Sequence, residues 1–234
     1  MNWERRFEVA EHTPRQLGEE AVSGGVAAGL LPLVDYFRLQ DRFERLGRFG
    51  IAVRGRAQSV MLFSRRPIRQ LDGAVIAVTQ ETSTSAVLLR LLLERYHHLS
   101  PAEYRRGQDA SADALLLIGD EALRFQRANT SYPFEVDVAF EWWLWQHVPC
   151  VFAVWAVRKD AAAQDKQQIE AGLARSLAMN LGQLGAIAQE HAVAFGVPAQ
   201  DLERYLANFV YRLGPSEEEG IQRFRALMDE SHLL

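Results

Sequence analysis

Residues 75–96 read V-I-A-V-T-Q-E-T-S-T-S-A-V-L-L-R-L-L-L-E-R-Y, and this stretch decides the fold class. V-I-A-V-T is a short apolar run rich in β-branched residues, which predicts a strand buried on both faces. Four hydroxyl residues follow, Thr82, Ser83, Thr84 and Ser85. Leu88, Leu89, Leu92 and Tyr96 then fall at helical spacing on one face. Strand, polar turn and helix make half of a βαβ unit.

The same grammar extends outward. V-A-A-G-L-L-P (26–32), F-G-I-A-V-R (49–54), S-V-M-L-F-S (59–64), L-L-L-I (115–118) and V-F-A-V-W-A-V (151–157) read as further strands, with F-E-V-A-E (7–11) as a short one. Helices are expected at 14–23, with Pro14 in the first turn, and near 33–38, while 135–147 reads as a strand-like or loop entry followed by a helix. From residue 161 the pattern turns helical, at 161–194, 199–208 and 216–230, punctuated by Gly196-Val197-Pro198 and Gly214-Pro215. Alternation followed by helices predicts an α/β fold with parallel sheets and a helical C-terminal region. The polar stretch R-R-P-I-R-Q-L-D-G (65–73) reads as the crossing between two lobes. Lobe one is then discontinuous, 1–66 plus 150–234, and lobe two is 67–149.

Composition narrows the function classes. The 234 residues are 48% hydrophobic and 24% charged, with a formal net charge of −4 and a pI near 5.9. An acidic balance argues against a nucleic-acid partner. Arg5-Arg6, Arg65-Arg66 and Arg105-Arg106 read as solvated surface. No apolar run approaches the ~18 residues of a membrane span, and the N-terminus carries no signal-peptide pattern, so a cytoplasmic location is expected. Cys150 is the single cysteine and sits in V-P-C-V-F-A-V, the setting of a buried, inert thiol.

Candidate chemistry lies at strand ends. Free N–H groups at a helix start, flanked by the hydroxyls of 82–85, suit a carboxylate or phosphate; the alternative is plain N-capping, which needs one such residue. Ser59 opens a strand and Ser64 closes it. Gly119 and Asp120 follow a strand's carboxyl end, where open α/β sheets bind ligands, although Asp120 also suits a helix start. Phe140, Trp142, Trp143, Trp145, Phe152 and Trp155 read as packed core, or as a ring-stacking wall. His12, His97, His98, His147, His191 and His232 show no metal spacing, and no phosphate-binding glycine loop or nucleophile elbow is present.

S-V-M-L-F-S (59–64), V-T-Q-E-T-S-T-S (78–85), L-L-I-G-D-E-A-L (116–123) and F-A-V-W-A-V-R (152–158) together resemble the menaquinone-biosynthesis family of periplasmic-binding-protein-like enzymes. The pattern looks more like its chorismate dehydratase branch than its dihydroxynaphthoate synthase branch, which expects a histidine near the cleft. The resemblance implies a two-lobed type II periplasmic-binding-protein-like fold. It also implies a lyase that takes water from chorismate, a dicarboxylate, to give 3-[(1-carboxyvinyl)oxy]benzoate, with no metal or organic cofactor. Carried over by motif, Ser59 contacts the substrate near the reacting ring and Thr82, Ser83, Thr84 and Ser85 bind a carboxylate without an Arg or Lys clamp. Leu31 and Pro32 end a strand facing the cleft, and Gly119 and Asp120 line the second lobe. Two departures stand out. The family begins with an apolar strand and a Y-L-N-like segment for which Met1-Asn2-Trp3 is no substitute, so lobe one is expected to lack its first strand and activity to suffer. A basic residue before the serine is replaced by Gln58, with Arg56 two residues away. The alternative is a non-catalytic carboxylate-binding protein of the same fold; oligomeric state is not legible.

Overall fold

The computed structural model describes residues 7–233, and the reading of residues 1–3 falls outside them. Residues 7–11 form no strand. Helix α1 (Pro14–Ser23) starts as expected: Thr13 accepts from the Gln16 N–H and the Gln16 side chain returns the bond, a reciprocal cap with proline at the first position. Strand β1 (Ala28–Pro32) runs into α2 (Leu33–Leu39), and β2 (Phe43–Val53) and β3 (Val60–Ser64) follow.

Next come β4 (Val75–Val78), α3 (Thr84–Leu91), β5 (Glu103–Arg106), β6 (Ala114–Ile118), α4 (Gly119–Ala128), β7 (Phe134–Asp137), α5 (Val138–Gln146) and β8 (Cys150–Arg158). The C-terminal region holds α6 (Ala163–Leu181), α7 (Leu184–Phe195), α8 (Ala199–Ala207), β9 (Phe209–Arg212) and α9 (Pro215–Glu230).

The strands make two sheets, ordered β1-β8-β2-β9 and β5-β4-β6-β3-β7. Every pairing in the first sheet is antiparallel. In the second, β4 is parallel to β5 and β6, whereas β3 is antiparallel to β6 and β7. The expectation of parallel sheets therefore holds only for β4, β5 and β6. An apolar run buried on both faces looks the same whichever way its neighbour points, so periodicity carries no direction.

β3 belongs to the second sheet, where it lies between β6 and β7. The crossing between sheets is consequently residues 54–59, and 65–73 connects β3 to β4 within the second sheet. The boundary expected at 66/67 moves for that reason: proline and glycine mark a turn, not which sheet the next strand joins. Strands β5 and β9 were also not expected. Each is four residues long, and β9 is wedged between two helices.

The main core joins the sheets through Leu33, Phe37, Val53, Leu62, Ile76, Leu89, Trp142 and Phe224. Trp142 is fully buried, meets Phe224 and Trp145 at ring-centroid distances of 5.7 and 6.1 Å, and donates its indole N–H to the Pro149 carbonyl at 3.3 Å. The tryptophan cluster is thus packed core at this residue. Cys150 is buried in the same core, and burial pushes its thiol well above the usual value.

Candidate functional site

Strand direction gathers chemistry at one edge of the second sheet. The parallel strands β4, β5 and β6 all end there, β3 begins there opposite Ile118, and β7 ends there at Asp137 opposite Met61. This is the edge at which open α/β sheets take ligands.

At one half of the edge, Ser59 and Gly119 touch: the Gly119 N–H donates to the Ser59 carbonyl at 2.7 Å. Gly119 has φ +60°, a conformation that glycine adopts without strain. Gln58, directly before Ser59, holds φ +65° as a non-glycine residue. Asp137 offsets that cost by accepting the Gln58 N–H at 2.8 Å while accepting the Phe140 N–H at 3.1 Å to cap α5. The Ser59 hydroxyl lies 2.8 Å from the Tyr205 phenol of α8. Ser59 itself is 3% exposed. Beside it opens a cavity of about 430 Å³ lined by Arg56, Gln58, Arg127, Asp137, Asp201 and Tyr205, among others.

At the other half, Thr82 accepts the Ser85 N–H at 3.0 Å and so caps α3. Ser83 donates to Asp35 at 2.8 Å, and Thr84 accepts the Val34 N–H at 3.3 Å. Three of the four hydroxyls are therefore engaged within the protein, two of them with α2 of the first sheet's side. Thr82 and Ser83 line a second cavity of about 380 Å³ with Arg15, Asp35, Arg38 and Arg106. Burial raises the Asp35 carboxyl above its usual value, against the pull of the Ser83 hydrogen bond and of Arg38 and Arg106.

The remaining expected residues distribute as follows. Asp120 is half exposed and pairs with Arg124 one turn on at 2.6 Å, in the first turn of α4. Leu31 is fully buried with Ala21, Leu39, Phe43 and Ala156 and lines neither cavity. Pro32 lines neither cavity and leads into the first turn of α2. Ser59, Gly119 and Asp120 come together; 82–85 sits at the other half of the same edge.

Four contributors were not foreseen: Tyr205, Asp137, Asp35 and Arg106. The absence of an arginine clamp was expected, yet Arg106 stands beside Thr82 and Ser83. Arg105 and Arg106 are both exposed, as expected of that pair, and Arg105 is paired with Glu103 and Asp109 at 2.8 Å each. Alternation along β5 separates the two, because successive side chains point to opposite faces, and β5 was not read from the sequence. Tyr205 comes from α8, 146 residues along the chain from Ser59, and nothing local marks it. Among the described residues no group of three or more His, Cys, Asp and Glu is placed to hold a metal ion.

The sequence model of a menaquinone biosynthesis family matches residues 1–230. The chain belongs to that family. Among its relatives is the chorismate dehydratase of Thermus thermophilus, 34% identical over 235 residues, covering 93% of this chain and 85% of that protein. The family fold is also seen in solved structures. Protein AF1704 from Archaeoglobus fulgidus superposes with a TM-score of 0.71 at 18% identity, over 97% of this chain and 86% of the other. The periplasmic aliphatic sulphonate binding protein SsuA from Escherichia coli gives 0.66 at 15% identity, over 99% and 86%. At such identities these two speak for the fold alone, a two-lobed periplasmic-binding-protein-like architecture.

Proposed function

We propose that this member of the family is a lyase that dehydrates chorismate to 3-[(1-carboxyvinyl)oxy]benzoate in menaquinone biosynthesis. The observation that carries the reading is the 34% identity to a chorismate dehydratase across 93% of the chain. The small-molecule substrate follows from it. The acidic composition fits a protein without a nucleic-acid partner, and among the described residues no helix is long and apolar enough to cross a membrane.

The chemistry needs little from the protein beyond placement. Losing a ring hydrogen and a hydroxyl makes the ring aromatic, which drives the elimination. The site must hold two carboxylates, orient the ring and help the hydroxyl depart. Thr82 and Ser83, which line the second cavity beside the start of α3, suit one carboxylate together with Arg106, whereas Thr84 and Ser85 are buried and line neither cavity. The Ser59–Tyr205 pair, with Gly119 beside it and Asp120 directly after Gly119, suits the reacting end. The 34% identity to a chorismate dehydratase favours this branch over the dihydroxynaphthoate synthase branch.

The test is direct. Incubation with chorismate is expected to yield the carboxyvinyloxy-benzoate, read by ultraviolet absorbance and mass. Binding of chorismate without conversion would instead support a non-catalytic binding protein of the same fold.

A further inference from the structure

Ser59 and Tyr205 share a hydrogen bond but not the same exposure to the cavity. Ser59 is 3% exposed and does not line the 430 Å³ cavity. Tyr205 does line it, in company with Arg56, Gln58 and Arg127. The tyrosine is also held from several sides. Its ring packs edge-on against Phe209 at 5.0 Å. One turn earlier, Asp201 meets Arg127 of α4 at 3.3 Å, and Leu202 is buried in a cluster that Leu123 packs against. At the end of α8, the Asn208 amide donates to the Arg56 carbonyl at 2.7 Å, tying the helix to the crossing segment that leads into Ser59.

We infer that Tyr205 is the member of the pair that meets the substrate, and that Ser59 is a positioning residue acting through it. This rests on the dehydratase reading above. With Ser59 donating to the phenol oxygen, the Tyr205 O–H is left to donate into the cavity, toward the oxygen that departs. Tyr205 donates a hydrogen bond only and keeps its proton: the ring C–H proton passes to the substrate's own side-chain carboxylate, the C–O bond breaks with its electron pair on the departing hydroxide, and that hydroxide takes up the proton to leave as one water. Burial holds the phenol above its usual value, against the pull of the Ser59 hydrogen bond, so the donor is protonated at neutral pH. A donor locked in place before the substrate arrives costs no reorganisation during the reaction.

Steady-state kinetics on chorismate test the assignment with Tyr205→Phe, Ser59→Ala and Ser59→Thr, each with its melting temperature. Tyr205→Phe is expected to lower kcat about a hundredfold with KM little changed. Ser59→Ala is expected to lower kcat about tenfold, and Ser59→Thr, which keeps a hydroxyl, to recover most of it. Full kcat in Tyr205→Phe overturns the inference, as does a larger loss in Ser59→Ala than in Tyr205→Phe at equal melting temperatures. A second measurement needs no variant. Nitration of the wild-type protein, mapped by mass spectrometry, is expected to spare Tyr205 when the benzoate product is present; equal nitration with and without product overturns the inference. If the wild type forms no product from chorismate, the dehydratase reading falls and the inference with it. If the wild type turns over normally and Tyr205→Phe matches it, the inference alone falls.

Discussion

The Val34 N–H donates to the Thr84 hydroxyl at 3.3 Å, joining the first turn of α2 to the first turn of α3. Val34 is fully buried and Thr84 is 2% exposed. Replacing Thr84 by valine keeps the shape and leaves a buried N–H without its partner. The expected cost is about 1–3 kcal/mol, read as a lower urea midpoint. Thr84→Ser, which restores the acceptor, is expected to recover most of it. A valine variant as stable as the wild type would show that the contact is not maintained in solution.

Asp35 makes stability depend on pH in a stated direction. Its folded carboxyl titrates above the ordinary 3.8, mainly through burial. The folded state therefore holds the proton more tightly than the unfolded chain. Stability contributed by the protonated form is fully present below 3.8 and is lost as pH rises through the folded value. Asp35→Asn removes this loss, so its stability relative to the wild type is expected to improve from about pH 3 to about pH 7. Parallel denaturation curves at both pH values check this.

Glu217 works in the opposite sense. Burial alone would raise its carboxyl, but donation from Arg54 and from the Gly214 N–H outweighs burial and holds it below the ordinary 4.5. The side chain is fully buried and closes the cap of α9. Its contribution is present above 4.5 and is lost as pH falls through the lowered folded value. Glu217→Ala is expected to cost about 1–2 kcal/mol near neutral pH and markedly less in acid, measured by chemical denaturation.

Gly50 tests the packing of the first sheet. A methyl group there would sit 2.5 Å from the Ala153 carbonyl oxygen of β8, against backbone that cannot swing aside. Gly50→Ala is expected to destabilise by about 1–3 kcal/mol, visible as a lower melting temperature with no specific effect on KM.

Arg106 separates binding from chemistry. It lines the cavity that Thr82 and Ser83 share. A cation holding a substrate carboxylate binds ground state and transition state alike, so Arg106→Ala is expected to raise KM for chorismate about tenfold while kcat changes little. The KM of the wild type should also rise with salt, and that of the variant less so.

Much of the framework is written locally. The apolar runs at 28–32, 60–64, 75–78, 114–118 and 150–158 are strands because β-branched and leucine-rich runs bounded by polar residues cannot leave their surface in water. Thr13-Pro14 starts a helix and Gly214-Pro215 starts another because caps are made by neighbours in sequence. The hydroxyl run at 82–85 falls at a strand-to-helix turn for the same reason, and the motifs that carry the family likeness are themselves such strand ends.

What the tertiary structure alone decided is direction and company. Whether β1 pairs parallel or antiparallel, and whether β3 follows β2 or joins β6 and β7, depends on which neighbour completes the hydrogen-bond ladder, and no single run of residues encodes that. The meeting of Ser59 with Tyr205 spans 146 residues. The pairing of Ser83 with Asp35 spans 48. Such contacts arise only when the core has closed, because burial of side chains from distant segments, not any local spacing, holds those groups within reach.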